Sequence, residues 1–145
     1  MTVKAILESK GHNVLTAGPN ETLAEAVRIL AEHRIGALVI TNGDRKIVGI
    51  LSERDIVRVI AKEGADALAR PVSHAMTAKV RSCSENHSVN EVMEIMTRGR
   101  FRHVPVLDDR AGLCGMISIG DVVKTRIAET VHEAAALREY ITAAV

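Results

Sequence analysis

The sequence predicts an α/β (α+β) fold made of two tandem β-α-β-type repeats, small sheets packed with helices, and a long C-terminal helix. Three observations predict it. Residues 20–57 align on residues 86–123 without a gap, a shift of 66 positions. Each copy holds two short β-branched runs separated by turn residues. Each copy also carries a Ser or Thr followed three places later by an acid, just ahead of an apolar helical stripe.

The identical pairs are Asn20/Asn86, Glu25/Glu91, Ile29/Ile95, Arg34/Arg100, Gly49/Gly115, Ser52/Ser118, Asp55/Asp121 and Val57/Val123. The apolar positions coincide as well: Leu23/Val89, Ala26/Val92, Leu30/Met96, Leu38/Val104, Ile40/Val106, Leu51/Ile117 and Ile56/Val122. Two copies with the same apolar pattern bury the same faces and fold alike.

Within the first copy a short strand is expected near Val14-Leu15. Thr22 with Glu25 opens a helix whose stripe is Leu23, Ala26, Val27 and Leu30. Residues 36–41 form a strand, Asn42, Gly43, Asp44 and Arg45 a turn, and residues 46–51 a second strand. Ser52 then caps a helix carrying Ile56, Val57 and Ile60. The second copy repeats the order. A short strand is expected near Val80-Arg81, a helix from Ser88, strands over 102–107 and 113–117 around a turn at 108–112, and a helix from Ser118. That last helix runs to near Ala143, with Val123, Ile127, Val131, Ala134 and Ile141 spaced by three, four and (134 to 141) seven residues, all on one helical face. A stripe that outlasts its own repeat needs a partner surface, either the N-terminal helix (Val3, Ile6, Leu7) or a second subunit. The organisation is thus repeat one over 10–62, a linker over 63–76, repeat two over 77–130, and a helical extension over 131–145. Residues 71–76 read as a short helical turn leading into the second copy.

Composition narrows the function. With 47% hydrophobic and 26% charged residues the chain is an ordinary globular protein. A net charge of +1 gives no field to gather nucleic acid, and one Phe, one Tyr and no Trp leave little to stack bases on. Cys83 and Cys114 make no disulfide framework and read as small buried hydrophobes. The start, MTVKAILESKGH, has no uninterrupted apolar stretch, and no run reaches membrane-spanning length. The expectation is a cytoplasmic protein with no nucleic-acid or membrane partner. His12, His33, His74, His87, His103 and His132 are scattered without ligand spacing, so no metal is expected. No Gly-x-Ser-x-Gly elbow, P-loop or Cys-His pair appears, so a binding module is expected and not an enzyme.

Three segments carry a family resemblance: GILSERD at 49–55, GMISIGD at 115–121, and RHVPVLDD at 102–109. The first two fit the Gly-h-h-[Ser/Thr]-x-x-Asp signature of the CBS (cystathionine-β-synthase) domain, where h is apolar, and the third its His/Arg-x-Pro-Val strand. The chain resembles a tandem CBS pair, or Bateman module, over roughly residues 10–130. The resemblance implies two repeats packed about a pseudo-two-fold axis, two clefts, and dimerisation into a disc of four repeats. It implies an adenosine-containing ligand, AMP foremost, with ADP, ATP, NAD and S-adenosylmethionine as alternatives. It also implies a regulatory role towards a partner protein still to be identified.

Candidate ligand residues follow. Asp55 and Asp121 stand at strand-to-helix junctions with Ser52 and Ser118. An ionised Asp there accepts from both hydroxyls of a ribose, and helix N-terminal amides suit a phosphate. The same spacing is also a capping box, the role read for Thr22/Glu25 and Ser88/Glu91. Arg102 can fork onto phosphate oxygens and His103 can donate from its ring, or they are an exposed strand residue and a satisfied core imidazole. Pro105 follows on the same strand. Copy one has Gly36 and Ala37 at the positions of Arg102 and His103, but has Arg54 where copy two has Gly120. The clefts are therefore unequal, and the expectation is that copy two holds the better phosphate site, with Arg54 elsewhere in the groove. Thr16, Ala17 and Pro19, and Lys79, Val80 and Arg81, lie in the segments entering each repeat, where the resemblance implies main-chain contacts to adenine. The rival reading is an adaptor dimer with no physiological small-molecule ligand.

Overall fold

Short polar side chains start the helices. Thr2, Thr22, Ser52 and Ser88 are N-caps in extended conformation, each accepting from the backbone N–H three residues on. Ser52/Asp55 and Ser88/Glu91 close full capping boxes, the carboxylate accepting in return from the cap's own N–H. The computed structural model describes residues 1–44 and 46–144. Arg45, at the end of the first expected turn, lies outside the described residues, as does Val145 at the end of the extension.

The order is α1 (Val3–Lys10), β1 (Thr16–Ala17), α2 (Leu23–His33), β2 (Ala37–Thr41), β3 (Ile47–Ser52) and α3 (Glu53–Glu63). Two 3₁₀ turns follow, Ala65–Ala69 and Val72–His74. Then come β4 (Cys83–Ser84), α4 (Val89–Gly99), β5 (His103–Leu107), β6 (Leu113–Ser118) and α5 (Ile119–Ala144). The entry strands are Thr16–Ala17 and Cys83–Ser84, two or three residues later than the sequence suggested. Only there does the chain run parallel beside β2 and β5, Ala17 opposite Ile40 and Cys83 opposite Val106.

Each repeat forms a three-stranded sheet, β1-β2-β3 and β4-β5-β6, with one parallel and one antiparallel pairing. Even the irregularities repeat, with register shifts at Ile40/Thr41 and at Val106/Leu107. Pro105 is tolerated in a central strand because β4 pairs only with Val106 and Leu107, leaving that edge of β5 free at the proline.

Two cores result, and each borrows an element from outside its repeat. The first gathers Leu23, Leu38, Ile40, Leu51 and Ile56 with Ala67 and Val72 of the linker. The second gathers Val89, Val92, Val104, Val106 and Ile117 with Val3, Ile6 and Leu7 of α1. The turn over 72–74 therefore does not simply lead into the second copy but packs back on the first. The shared glycines explain the exchange. A Cβ on Gly49 would lie 2.6 Å from Met76 Sδ, and one on Gly115 would lie 2.7 Å from Leu7 Cδ1. Both glycines open the sheet for a borrowed element to sit on.

Helix α5 runs 26 residues, as its stripe predicts. Its excess does not pack on α1. Val123, Ile127, Val131, Leu137 and Ile141 are each at least half exposed, and the ion pairs at this end are Lys10 of α1 with Asp121 (2.7 Å) and the Met1 amino group, just ahead of α1, with Glu129 (3.5 Å).

Candidate functional site

Two clefts lie between the repeats, and each is built from both. The larger, about 450 Å³, takes Ser52, Glu53, Arg54, Asp55 and Arg58 from the β3–α3 junction of repeat one. Facing them are Arg100, Phe101, Arg102 and His103, where repeat two enters β5. The smaller, about 360 Å³, reverses the roles, with Arg34, Ile35, Gly36 and Ala37 entering β2 opposite Met116 and Ser118. Lys10, Asn13, Val14 and Leu15 close its side. The two clefts meet at Gly36, Ala37 and His103, which line both.

This cross-pairing corrects the expectation that copy two alone makes the better phosphate site. Apart from Gly36, Ala37 and His103, which reach both clefts, each strand entry lines the cleft of the other repeat's helix junction. Arg102 faces Asp55, not Asp121, and Arg54 lies beside it instead of elsewhere in the groove. Four arginines, 54, 58, 100 and 102, converge on the Asp55 cleft against the carboxylates of Glu53 and Asp55. Arginine forks match phosphate oxygens, so the surplus of positive charge suits an anion.

Asp55 is a buried carboxylate, 8% exposed. Its Oδ2 accepts from the Ser52 N–H (2.9 Å) and Ser52 Oγ (3.0 Å), which fixes the group at the cleft wall. Its Oδ1 has Arg58 Nη1 at 3.6 Å, on an exposed arm. Capping and ligand binding are thus compatible, because the cap uses Oδ2 and leaves Oδ1 without a capping bond. Asp121 has the same cap, from the Ser118 N–H (2.8 Å) and Ser118 Oγ (3.0 Å). It also accepts from Lys10 Nζ at 2.7 Å. Burial pushes its carboxyl upward, but the Lys10 ammonium and the Ser118 donors outweigh that and hold it below the usual carboxylate range.

His103 is half-buried between the clefts. Burial lowers its imidazole pKa below 6.5, the nearby Glu53 carboxylate only partly offsetting this. Gly36 makes the room, since a Cβ there would lie 3.2 Å from His103 Cε1. The substitution of Gly36 for Arg102 and Ala37 for His103 in copy one is therefore not a simple loss, because one imidazole serves both clefts.

Other expected contacts fall elsewhere. Thr16 and Ala17 form β1, and the Pro19 carbonyl accepts from the Ser73 N–H; neither cleft is lined by them. The residues just before, Asn13, Val14 and Leu15, line the smaller cleft instead. Lys79 and Arg81 line a separate cavity beside α4, Val80 lines neither cleft, and Thr77 takes the corresponding place in the Asp55 cleft. Pro105 is buried in β5.

Sequence reasoning missed Arg34, Arg58, Arg100 and Lys10. A signal for two of them was on the page, since Arg34 and Arg100 are an identical pair. Both cap helices in the left-handed conformation, φ 52 and 57, a position that favours glycine. An arginine kept there twice, each time at a cleft, is held against backbone preference. Burial disfavours both thiolates, pushing Cys83 up to about 12 and Cys114 up to about 11. Among the described residues no three His, Cys, Asp or Glu side chains gather as metal ligands, and no helix is long and apolar enough to cross a membrane.

The family model for the CBS domain matches residues 3–62 and 72–128. The chain belongs to the CBS domain family. A crystal structure of a CBS-domain containing protein from Agrobacterium tumefaciens is 48% identical, with a TM-score of 0.84, over 87% of this chain and 99% of that one. The CBS domain pair of protein MJ0100, solved with 5′-methylthioadenosine and S-adenosyl-L-methionine, is 28% identical with a TM-score of 0.80, over 89% and 98%. The mitochondrial CBS domain-containing protein CBSX3 of Arabidopsis thaliana is 34% identical over 97% of this chain. The match spans 71% of CBSX3 and 66% of another relative, from Acidianus ambivalens. The CBS pair of this chain is thus a pair of unequal clefts, one rich in arginine and one with Lys10 in its wall.

Proposed function

We propose that this chain is a regulatory module that binds an adenine nucleotide, AMP foremost, in the Asp55 cleft. One observation carries the reading: a fixed carboxylate for a ribose diol and four arginines for a phosphate line a single cleft. Its volume of about 450 Å³ falls in the range of small-molecule sites, roughly 300–1,000 Å³. CBS domain pairs are ligand-binding regulatory modules, and the MJ0100 pair was solved with two adenosine derivatives. Charge distinguishes this chain's preference. Its cleft suits a nucleotide with a phosphate better than an uncharged thioether nucleoside. Binding involves no chemistry on the ligand.

The response runs through packing. The cleft joins strand entry of one repeat to helix start of the other, so occupancy biases how the repeats sit together. The exposed stripe on α5, with Val57 of α3, offers that change to a second copy in a homodimer or to a regulated protein. The same stripe favours the second reading, an adaptor dimer with empty clefts.

A thermal-shift panel separates them. A ligand at about 100 times its dissociation constant stabilises the folded chain by roughly 2.7 kcal/mol, several degrees for a domain of this size. AMP, ADP or ATP should raise the melting temperature. Flat curves for these, NAD and S-adenosylmethionine leave the adaptor.

A further inference from the structure

Helix α5 leaves the body of the protein part-way along its length. Val122 and Thr125 are buried and Glu129 is half-buried, but every residue from Thr130 to Ala143 is exposed. The family-model match ends at residue 128, so the CBS fold does not account for this segment. On its own it is marginal as a helix in water, where about 12–15 residues is the lower bound. A partner must hold it.

The exposed face has a register. Val123, Ile127, Thr130, Ala134, Leu137 and Ile141 follow at alternating steps of four and three residues. These are the a positions (127, 134, 141) and d positions (123, 130, 137) of a heptad. They lie roughly 130° round the helix from Val122, Thr125 and Glu129, clear of the body. Isoleucine at a (Ile127, Ile141) with leucine at d (Leu137) favours two strands.

The flanking charges set the direction. In a parallel pair, position g of one helix faces position e of the next heptad on the other. Glu133 therefore meets Arg138 of the second copy, twice by symmetry. Antiparallel pairing over the same span sets Lys124 against Arg138 and Glu133 against Glu133, like against like. Sliding that pair by one heptad avoids the repulsion but leaves Val123 uncovered. Among the described residues neither Glu133 nor Arg138 has an ion pair within its own chain.

We propose that the end of α5 is one strand of a parallel, in-register, two-stranded coiled coil whose other strand is a second copy of this chain. A two-fold axis then runs along the coil and sets both repeat pairs at the same end of it. The interface needs no ligand, yet it is tied to one. Ser118, in the wall of the smaller cleft, accepts from the Asp121 N–H in the first turn of the same helix.

Sedimentation of full-length variants tests partner, direction and register together. Wild type should be a dimer. Leu137→Asp, at a side chain 60% exposed in the single chain, should weaken it at least about tenfold without unfolding either core. Glu133→Lys and Arg138→Glu should each weaken it by about 5- to 30-fold, because two pairs turn from attraction to repulsion. Mixed together, those two variants should prefer each other to themselves, and the chain carrying both exchanges should regain wild-type affinity. A monomeric wild type, a trimer, or a dimer indifferent to Leu137→Asp or to the charge exchanges overturns the proposal. So does a dimer tightened by Arg138→Glu, the signature of antiparallel pairing against Lys124. None of these results touches AMP binding in the Asp55 cleft, which is read by its own titration.

Discussion

The His103 ring, from the second repeat, lies against the bare α-carbon of Gly36 in the first, where a Cβ would sit 3.2 Å from Cε1. The contact joins the repeats where their clefts meet. It also fixes a titratable group between two ligand sites. Burial disfavours its charged form, so its folded pKa is below 6.5 and the ring is neutral at pH 7. The unfolded chain takes up the proton first as pH falls through the ordinary histidine pKa. His103 thus contributes stability that is full above about 6.5 and is lost progressively below it.

Ligand binding reverses that preference. A phosphate beside His103 favours the imidazolium, so AMP should bind with proton uptake and tighten as pH falls from 8 towards 6. Titration calorimetry in two buffers of different ionisation enthalpy reads the proton directly. His103→Gln should abolish the uptake, whereas no uptake by wild type places the phosphate away from the ring.

Arg102→Ala should weaken AMP by about 10- to 100-fold, the equivalent of roughly 1.5–3 kcal/mol for one charged hydrogen bond. Adenosine, without a phosphate, should lose less than about threefold. Equal losses for the two ligands would assign Arg102 to packing.

Arg100→Gly should separate stability from binding. Relieving a left-handed side chain at φ 57 should stabilise the fold by about 0.5–1 kcal/mol, read as a rise in denaturation midpoint, while AMP affinity falls. A drop in both would show that Arg100 serves the fold.

Leu7→Ala should destabilise the chain by about 2–5 kcal/mol, because Leu7 is fully buried in the second core and lies over Gly115. Amide exchange should rise in repeat two more than in repeat one. Uniform loss of protection would contradict the view that α1 belongs to the second core.

Truncation after residue 130 removes Val131, Leu137 and Ile141 from the exposed stripe. Sedimentation should show a weaker dimer with the monomer fold intact, and an unaltered profile would place the interface elsewhere.

Much of the fold was legible because the repeat doubles every local signal. Thr22, Ser52 and Ser88 announce their helices, and the β-branched runs at 37–41 and 103–107 announce the central strands. The exchange of α1 and the linker between cores was not legible. Val3, Leu7 and Val72 reveal that they are apolar but not which sheet receives them, and a glycine does not name the side chain that will cover it. The site was half legible for the same reason. Asp55 and Asp121 look equivalent in sequence, and nothing local says that the ammonium of Lys10, more than a hundred positions from Asp121, will pair with one of them. Cross-pairing of strand entries and helix junctions is a property of how repeats pack, so Arg102 could not be assigned to Asp55 beforehand.

The most direct test of the arginine-lined cleft compares AMP affinity for wild type, Asp55→Asn and Asp121→Asn by calorimetry. Both substitutions keep a polar cap of the same size, so folding should be preserved. The Asp55 variant should lose at least about tenfold in affinity, while the Asp121 variant stays within about twofold. The reverse order, or equal affinity in all three proteins, contradicts the assignment of the nucleotide to the Asp55 cleft.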